Sequence, residues 1–367
     1  MRLIRRLLAA VSLLLGAAAA VLALVLQHDS PCADQSAAPP GPTMQAALRR
    51  CYGPPQVIRV GPLARPALKD DEVLVHVRAA SVNPLDWHVV RGTPYLIRPE
   101  LGIGRPHDPQ FGVDFAGTVV AVGHAVTRYR PGDAVFGGHD GAFAEYVAVR
   151  ESRAIALRPA NMTEEQAATL PVAGVTALQA LRDQAHVRAG DQVLVNGASG
   201  GVGTFAVQIA KSYGAEVTAV CGPASVPLMR SLGADHVIDY TRTDFTRLGT
   251  RYDVIIDNVA SHGLLAYRRV MSPHGVLVAV GGTSHGNWIG PLAPALRALL
   301  MRPFVSQRFE PFLAELNGSD LAVLADLVRA GRLRSVIDRR YALADTAAAI
   351  AYVESGHAHG KVVIDLP

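Results

Sequence analysis

A glycine turn carries the clearest chemical signal in the sequence. Within residues 193–211, VLVNGASGGVGTFAVQIAK, β-branched residues lead into a cluster of glycines and then into a helix-like pattern. Ala198, Gly200 and Gly203 give the spacing AxGxxG, which exposes unpaired backbone N–H groups at a helix N-terminus, where the helix dipole favours an anion. Because the turn follows a predicted strand and opens a predicted helix, it predicts binding of the pyrophosphate of a dinucleotide.

The end of the next apolar run indicates which dinucleotide is preferred. This run, EVTAVC, ends at Cys221 and is followed by Gly222, whereas NAD-binding sites usually carry an Asp or Glu there to hold the ribose 2′-hydroxyl. No acid is present to repel a 2′-phosphate, so the sequence favours NADPH over NADH. Arg230 is a positive partner for that phosphate only if its helix turns it inward, and an exposed helix arginine is the alternative.

Two hydrophobic patterns define the elements that position the turn. Residues 56–150 consist of short alternating or β-branched runs separated by Gly, Pro and Asp, which is typical of an antiparallel, barrel-like β domain. After a helical stretch over 163–190, apolar β runs alternate with amphipathic segments, which predicts a parallel, doubly wound sheet in an α/β fold. The tail from about 305 ends in one more apolar run, and we expect it to complete the β domain.

Composition excludes several classes of function. With 367 residues and 50% hydrophobic residues, the chain is long enough for two packed domains. Its 35 Lys and Arg exceed 31 Asp and Glu only slightly and are spread along the chain, so no nucleic-acid-binding surface is predicted. The cysteines Cys32, Cys51 and Cys221 form no CxxC pair, which argues against a disulfide framework and a structural zinc site.

The N-terminus has the pattern of a membrane anchor. Residues 7–26 carry no charge, and at about 1.5 Å per residue they span a hydrocarbon core of roughly 30 Å. Three arginines among the first six residues would keep the N-terminus cytoplasmic and the body outside, yet NADPH is a cytoplasmic cofactor, so the topology stays open. The proline-rich residues 27–43 are predicted to be a linker, and translation from Met44, which gives a cytoplasmic protein, is the alternative.

A set of motifs in a fixed order links the chain to a known family. They resemble the medium-chain dehydrogenase/reductase superfamily, and most of all its zinc-free quinone oxidoreductase branch. The resemblance implies a GroES-like catalytic domain over 44–165, completed by 306–367, and a Rossmann dinucleotide-binding domain over 166–305, after the anchor and linker of 1–43. The motifs lie at 82–92, 111–123, 131–138, 141–149, 170–181, 196–211, 231–240 and 360–366.

The resemblance also implies that the protein binds no zinc. Zinc alcohol dehydrogenases of the superfamily carry a Cys three positions before an Asp, and a His in a GHE triplet. The matching positions here are Asn83, before Asp86, and Val113, and neither side chain replaces a thiolate or an imidazole on zinc. A carbonyl that accepts hydride must then be polarised by hydrogen-bond donors, and its proton must come from a side chain or water.

Two residues are candidates for these catalytic tasks. Tyr95, in RGTPY, resembles the Tyr of an RxGxY-like stretch that reaches nicotinamide and substrate in quinone oxidoreductases, although Pro94 displaces it by one position. A packing role is the alternative for Tyr95. Asn83 is the second candidate, as an amide donor lining the cleft, and a turn-forming Asn before a proline is its alternative.

Cofactor contacts also follow from the resemblance, position by position. They lie in the glycine turn, at the end of the next strand and beside the expected nicotinamide. The predicted contacts are Ser199, Gly200, Gly201, Val202 and Gly203 at the phosphates, Gly222 and Tyr240 at the adenosine ribose, and Thr176, Val280, Gly281 and Gly282 at the nicotinamide.

The leading interpretation is a zinc-independent reductase that transfers hydride from NADPH to a quinone, an enone or a related activated carbonyl. The cofactor supplies the chemistry, and the protein orients it. An alcohol dehydrogenase-type or enoyl reductase-type activity on another small carbonyl is the alternative within this class, because one fold hosts many substrates. A non-catalytic, membrane-tethered nucleotide-binding protein is the alternative outside it. By resemblance, we also expect a homodimer formed through the last strand of the nucleotide domain.

Overall fold

Two large β-sheets organise the chain. The computed structural model describes residues 2–32, 39–281, 286–288 and 306–367, without the side chains of 2–14. The strands in these ranges are β1 (Thr43–Leu48), β2 (Arg59–Ala64), β3 (Glu72–Val82), β4 (Asp114–Val122), β5 (Ala134–Gly138), β6 (Tyr146–Arg150), β7 (Ile155–Leu157), β8 (Gln192–Asn196), β9 (Glu216–Cys221), β10 (His236–Asp239), β11 (Tyr252–Asp257), β12 (Met271–Ala279), β13 (Arg308–Pro311), β14 (Ile337–Ala342) and β15 (Lys361–Asp365). The helices in these ranges are α1 (Arg2–Gln27), α2 (Pro84–Arg91), α3 (Arg98–Leu101), α4 (Glu164–Ala168), α5 (Pro171–Gln179), α6 (Gly201–Ser212), α7 (Val226–Ser231), α8 (Leu264–Arg269), α9 (Gly318–Arg329) and α10 (Thr346–Glu354).

The first sheet is parallel and runs in the order β10-β9-β8-β11-β12-β13. Its central strands β8, β9 and β11 are mainly apolar because helices cover both faces. Val195 of β8 shares one core cluster with Phe205 of α6, whereas the next residue back, Leu194, shares another with Tyr267 of α8. The chain turns in opposite directions on either side of β8 and β11, and ligands bind at the carboxyl ends of strands at such a switch point. The predicted Rossmann-type sheet is confirmed.

The second sheet belongs to the predicted β domain. It runs in the order β14-β15-β3-β4-β5-β7, with β6 paired to β3, and apart from the parallel pair β14–β15 its neighbours are antiparallel. The closing strand β15 lies beside β3, with Val362 opposite Val82. Residues from both ends of the chain therefore share one core, in which Val75 and Phe115 pack with Ile364.

The tail divides between the two sheets. The sequence assigned everything after 305 to the β domain, but β13 pairs in parallel with β12 and extends the first sheet by a strand. Phe309 of β13 is 1% exposed and lies in the same core cluster as Tyr252 and Leu277. Burial of this ring places the strand on the Rossmann side, because the apolar surface it covers belongs to that sheet.

The N-terminal helix α1 covers the predicted anchor over 7–26. Within the part of the chain that the structure describes, no helix has both the length and the apolar character needed to cross a membrane. The prediction of a single-pass anchor is therefore not supported by the structure. Leu26, the second-last residue of α1, is 3% exposed, so the chain is already packed on the body where the predicted linker begins.

A disulfide between Cys32 and Cys51 corrects the prediction made from the cysteines. Their Cα atoms lie 4.5 Å apart although the residues are 19 positions apart in sequence. The CxxC pattern indicates only cysteines that are close in sequence, whereas the fold brings Cys32, which follows α1, beside Cys51, which follows β1. Cys221 is a free, buried thiol at the end of β9, and its burial raises the pKa to about 11.

Candidate active site

The glycine turn lies at the carboxyl end of β8, at the switch point of the parallel sheet. Gly203 fits because a Cβ there would lie 2.3 Å from the carbonyl oxygen of Gly197, so α6 rests directly on the strand backbone. At Gly200, by contrast, the nearest atom to an added Cβ is 3.6 Å away. Gly200 is the N-cap of α6 and provides no side-chain cap. The first N–H groups of α6 therefore have no cap, and this open cradle fits a pyrophosphate.

The closing segment of the chain lies beside this turn. Gly360 forms a parallel bridge with Gly200, and a Cβ at Gly201 would lie 2.9 Å from Cδ of Lys361. The aliphatic part of the Lys361 side chain thus packs against the first turn of α6. Its ammonium group continues into the β domain, so a single side chain connects the glycine turn with the second sheet.

The Lys361 ammonium ends in a buried polar cluster. Nζ of Lys361 lies 2.5 Å from Oδ1 of Asn83 and 3.3 Å from Oδ2 of Asp114. Asp114 also accepts hydrogen bonds from Nδ2 of Asn83 at 2.9 Å, Oγ of Ser81 at 2.7 Å and the backbone N–H of Val172 at 2.9 Å. Asn83 is 2% exposed, and its amide is engaged at both ends. The structure therefore places this catalytic candidate inside a buried ionic cluster, and its role as a donor to substrate stays a prediction.

Asp86 completes the strand-to-helix turn at Asn83. Its Oδ2 accepts a hydrogen bond of 2.7 Å from the backbone N–H of Asn83, and the pair forms a capping box at the start of α2. Burial raises the pKa of Asp86 to about 7, and the hydrogen bond from Asn83 opposes that rise. Near neutral pH the neutral and the ionised form of this carboxyl are therefore both populated.

The predicted nicotinamide contacts lie near this cluster and at the end of β12. Thr176, on α5, donates from Oγ1 to the carbonyl oxygen of Val172 at 2.6 Å, and the N–H of Val172 binds Asp114. Gly281 follows β12, where a Cβ would lie 2.8 Å from the carbonyl oxygen of Asn258. Val280, one residue earlier, is half-buried. Gly282, also predicted from the sequence, lies outside the described residues.

The predicted adenosine contacts lie at the end of β9. A Cβ on Gly222 would lie 3.6 Å from the hydroxyl of Tyr240, whose side chain is exposed. Sequence reasoning missed Ser225 and His359 beside them, where Oγ of Ser225 lies 2.8 Å from Nδ1 of His359. His359 arrives from the far end of the chain, so no local pattern could have indicated it. Arg230, the basic residue that the sequence did offer, is exposed on α7.

Tyr95 lies on the loop after α2. Its backbone N–H donates to the carbonyl oxygen of Asn287 at 2.7 Å, and its hydroxyl accepts from Nδ2 of Asn287 at 3.2 Å. Trp288 packs edge-on against the ring at 5.1 Å between centroids, and the guanidinium of Arg98 lies 4.6 Å from the ring centre. The structure thus sets Tyr95 against residues 286–288 of the segment after β12, while Asn83 is held in the Lys361 cluster.

The positions matched to zinc ligands carry an amide and an apolar side chain. Among the residues that the structure describes, no three His, Cys, Asp or Glu side chains are grouped so that they could hold a metal ion. The positions compared with zinc ligands are occupied by Asn83, which binds Lys361, and by Val113, whose carbonyl accepts the backbone N–H of His139. Neither of these two positions offers a thiolate or an imidazole, and independence from zinc stays a prediction.

Comparison with known proteins places this geometry in a family. Residues 69–159 match the model of an alcohol dehydrogenase GroES-like domain, and residues 232–364 match that of a zinc-binding dehydrogenase. The quinone-oxidoreductase homolog, chloroplastic, of Spinacia oleracea is 33% identical over 316 residues, which cover 83% of this chain and 92% of the relative. The NADPH-dependent alkenal/one oxidoreductase, chloroplastic, of Arabidopsis thaliana is 33% identical over 336 residues, which cover 88% of this chain and 79% of the relative.

Solved structures agree with these sequence matches. The quinone oxidoreductase from Coxiella burnetii superposes with a TM-score of 0.78 at 28% identity, and the match covers 89% of this chain and 100% of that one. The two sheets, the glycine turn at the switch point and the curated relatives all agree with the resemblance found in the sequence. The chain belongs to the medium-chain dehydrogenase/reductase superfamily and is quinone oxidoreductase-like.

Proposed function

We propose that the protein is a zinc-independent, NADPH-dependent reductase that transfers hydride to a quinone or to the conjugated double bond of an enone. The observation that carries the proposal is the uncapped glycine turn at the switch point, next to the β domain. The names of the relatives, quinone oxidoreductase and alkenal/one oxidoreductase, support this substrate class. When bound, NADPH supplies the hydride, and the residues of this chain bind it, orient it and provide the proton.

A preference for NADPH over NADH is supported by the end of β9. Gly222 places no carboxylate near the ribose, so a 2′-phosphate meets no like charge. Ser225 offers a hydroxyl and His359 an imidazole at the same place, 2.8 Å apart. One hydrogen is used between the two side chains, and the pair still offers one donor to a phosphate oxygen, either the hydroxyl of Ser225 or Nε2 of His359. Together with Tyr240, which the sequence already indicated, they offer polar contacts beside Gly222.

The zinc-independent mechanism is supported by the charge of Lys361. Its ammonium group lies against Asn83 and Asp114, beside the position where zinc-binding relatives carry a ligand. A divalent cation there would be repelled by the ammonium, and the Asp114 carboxylate is already neutralised. Polarisation of the substrate carbonyl therefore falls to hydrogen-bond donors of the protein.

Tyr95 is proposed as the donor that protonates the reduced substrate. Its oxygen accepts a hydrogen bond from Nδ2 of Asn287, so its own proton is free to be donated to a substrate oxygen or carbanion. Thr176 is proposed as a neighbour of the nicotinamide, because its hydroxyl oxygen can still accept a hydrogen bond while its proton is held by Val172.

The experiment that tests the proposal titrates the purified full-length protein with NADPH and NADH. The fluorescence of each nucleotide is followed, and NADPH oxidation is then measured with 9,10-phenanthrenequinone, a short enone and a simple ketone. Tight NADPH binding with turnover of the quinone or the enone supports the proposal. Turnover of the ketone alone would favour an alcohol dehydrogenase-type activity, and binding without any turnover would favour a non-catalytic protein.

A matched pair of glycine variants tests the turn itself. Gly203→Ala, in the first turn of α6, places a Cβ 2.3 Å from a backbone oxygen, whereas Gly263→Ala, at the N-cap of α8, introduces a Cβ with no atom within 4 Å. We expect Gly203→Ala to weaken NADPH binding at least about tenfold, or about 1.4 kcal/mol, and Gly263→Ala to leave it unchanged. Circular dichroism of both variants separates loss of the site from loss of the fold.

Two features of assembly stay predictions from the sequence. A homodimer would use β13, which is the edge strand of the Rossmann sheet among the described residues. Light scattering during size-exclusion chromatography measures the mass directly. Membrane attachment through 7–26 is tested by flotation of the full-length protein with liposomes, beside a protein that begins at Met44.

A further inference from the structure

The end of α1 and the segment that follows it lie on the loop that carries Tyr95. We call residues 26–32 the strap. Leu26 is 3% exposed, the backbone N–H of Ser30 donates to the carbonyl oxygen of Gly104 at 2.8 Å, and Cys32 is bonded to Cys51. An apolar contact, a backbone hydrogen bond and a covalent bond therefore hold the strap against the β domain.

A buried arginine connects the strap with the loop. Arg98 is 1% exposed, and its Nη1 donates to the carbonyl oxygens of Leu26 at 2.8 Å and His28 at 3.1 Å. Nη2 lies 2.8 Å from the carboxylate of Asp29, and Nε donates to the carbonyl oxygen of Gly92 at 2.8 Å. Three acceptors of this guanidinium thus come from the strap.

The same guanidinium packs on two tyrosine rings. Its Cζ lies 4.4 Å from the ring centre of Tyr52 and 4.6 Å from that of Tyr95, within the range of cation–π attraction. Tyr52 follows Cys51 and donates from its hydroxyl to the carbonyl oxygen of Gly102 at 2.7 Å. Arg98 therefore contacts the strap, the tyrosine that follows the disulfide-bonded Cys51, and the ring of Tyr95.

Burial makes this arrangement dependent on the strap. A guanidinium taken out of water is costly unless its donors are satisfied, and removal of one partner of such a group destabilises the arrangement that remains. Without the strap, Arg98 would lose the Asp29 carboxylate and two carbonyl oxygens, and it would have to turn towards solvent. The support beneath the ring of Tyr95 would move with it.

We propose that Arg98 is a positioning residue for Tyr95 and that the strap, although it precedes both domains, is part of the substrate site. This inference rests on the proposed role of Tyr95 in the reduction. The strap sets the position of the Tyr95 loop, residues 92–104, through the Asp29–Arg98 ion pair and the Cys32–Cys51 bond. Its loss weakens the use of substrate and leaves the binding of NADPH at the glycine turn unchanged.

The experiment uses the full-length protein with Asp29→Asn and the double variant Cys32→Ser/Cys51→Ser. Asp71→Asn is the matched control, because Asp71 has an arginine partner, Arg150, and a similar exposure of 54% against 55% for Asp29. Hydrogen exchange followed by mass spectrometry reports on residues 92–104. Steady-state kinetics with a fixed enone and a fluorescence titration with NADPH complete the set.

We expect faster exchange across 92–104 in both strap variants, a KM for the enone raised about 2- to 5-fold by Asp29→Asn, and an unchanged Kd for NADPH. Asp29→Glu should restore the wild-type KM, and Asp71→Asn should change nothing. Unchanged exchange at 92–104 in both strap variants would overturn the inference, as would faster exchange with an unchanged KM. Tyr95→Phe separates the two proposals, since full activity of that variant would refute the role of Tyr95 whatever the strap does.

Discussion

Replacing Lys361 with methionine removes an ammonium group from the buried cluster and keeps an unbranched side chain beneath the glycine turn. Lys361 is 3% exposed and Asp114 0% exposed, so solvent cannot replace the lost charge. The aliphatic contact with Gly201 is retained in the variant. The substitution therefore isolates the contribution of the charge from that of packing.

The expected loss of stability depends on the hydrogen bonds that Asp114 keeps in the variant. Breaking a buried ion pair by removing one partner costs about 3–5 kcal/mol, because the remaining charge is uncompensated. Asp114 still accepts hydrogen bonds from Ser81, Asn83 and the N–H of Val172, which places the expected loss at the lower end, about 3 kcal/mol. Adding Asp114→Asn to Lys361→Met removes the uncompensated carboxylate. The double variant should therefore be about 2 kcal/mol more stable than the sum of the two single losses predicts.

Urea unfolding at neutral pH measures these differences. Circular dichroism reports on both domains, and tryptophan fluorescence reports on Trp87, which lies on α2 directly after Asp86, and on Trp288 beside Tyr95. Arg150→Met is the matched control, since Arg150 and its partner Asp71 are 57% and 54% exposed. An exposed pair of this kind contributes at most about 1 kcal/mol.

Two results would refute this reasoning. If Lys361→Met costs no more than Arg150→Met, the ammonium is not needed to neutralise a buried carboxylate. If the costs of Lys361→Met and Asp114→Asn add without coupling, the two groups do not act as a pair, and the argument against a cation beside Asn83 loses its basis.

Three further predictions concern cofactor choice, pH and proton donation. Gly222→Asp introduces a carboxylate at the end of β9, so the Kd for NADPH should rise about tenfold or more relative to that for NADH, measured by fluorescence titration; an unchanged ratio would place the 2′-phosphate elsewhere. Because burial raises the pKa of Asp86 from 3.8 to about 7, its folded form binds the proton more tightly, so its contribution to stability is complete below about pH 4 and is lost as the pH rises to about 7. The stability of the wild type relative to Asp86→Asn should fall by up to about 4 kcal/mol over that interval in urea unfolding, and a constant difference would contradict the raised pKa. Tyr95→Phe should lower kcat for an enone by roughly 100-fold with little change in NADPH affinity, and a kcat within twofold of wild type would reassign the proton to water.

Local patterns predicted the parts of the fold that depend on neighbouring residues. The glycine spacing at 197–203 requires only a strand before it and a helix after it, and β8 and α6 provide both. The apolar runs of the central strands β8, β9 and β11 could be recognised because nearly all of their residues are buried. The capping box that begins α4 is likewise local, with Thr163 and Gln166 bonded to each other's backbone.

The remaining features depend on contacts across long stretches of chain. Lys361 binds Asn83 from 278 positions away, and Arg98 binds the carbonyl oxygen of Leu26 from 72 positions away. The burial of Lys361 and Arg98 cannot be predicted from the sequence. Lysine and arginine side chains are usually exposed, and they are buried only where specific partners compensate the charge. The disulfide and β13 were missed for the same reason, since each is defined by what the folded chain brings beside it.

The closing strand β15 explains why the two domains act as one site. Gly360 pairs with Gly200 of the cofactor turn, the next residue sends its ammonium to Asn83 and Asp114, and the strand itself pairs with β3. Asp114 in turn binds the N-terminal end of α5, which carries Thr176. A movement of the glycine turn relative to the β domain must therefore break the Lys361 cluster or carry it along. For this reason a change at Lys361 should affect the relative position of cofactor and substrate as well as stability, and kcat should fall in Lys361→Met even where NADPH still binds.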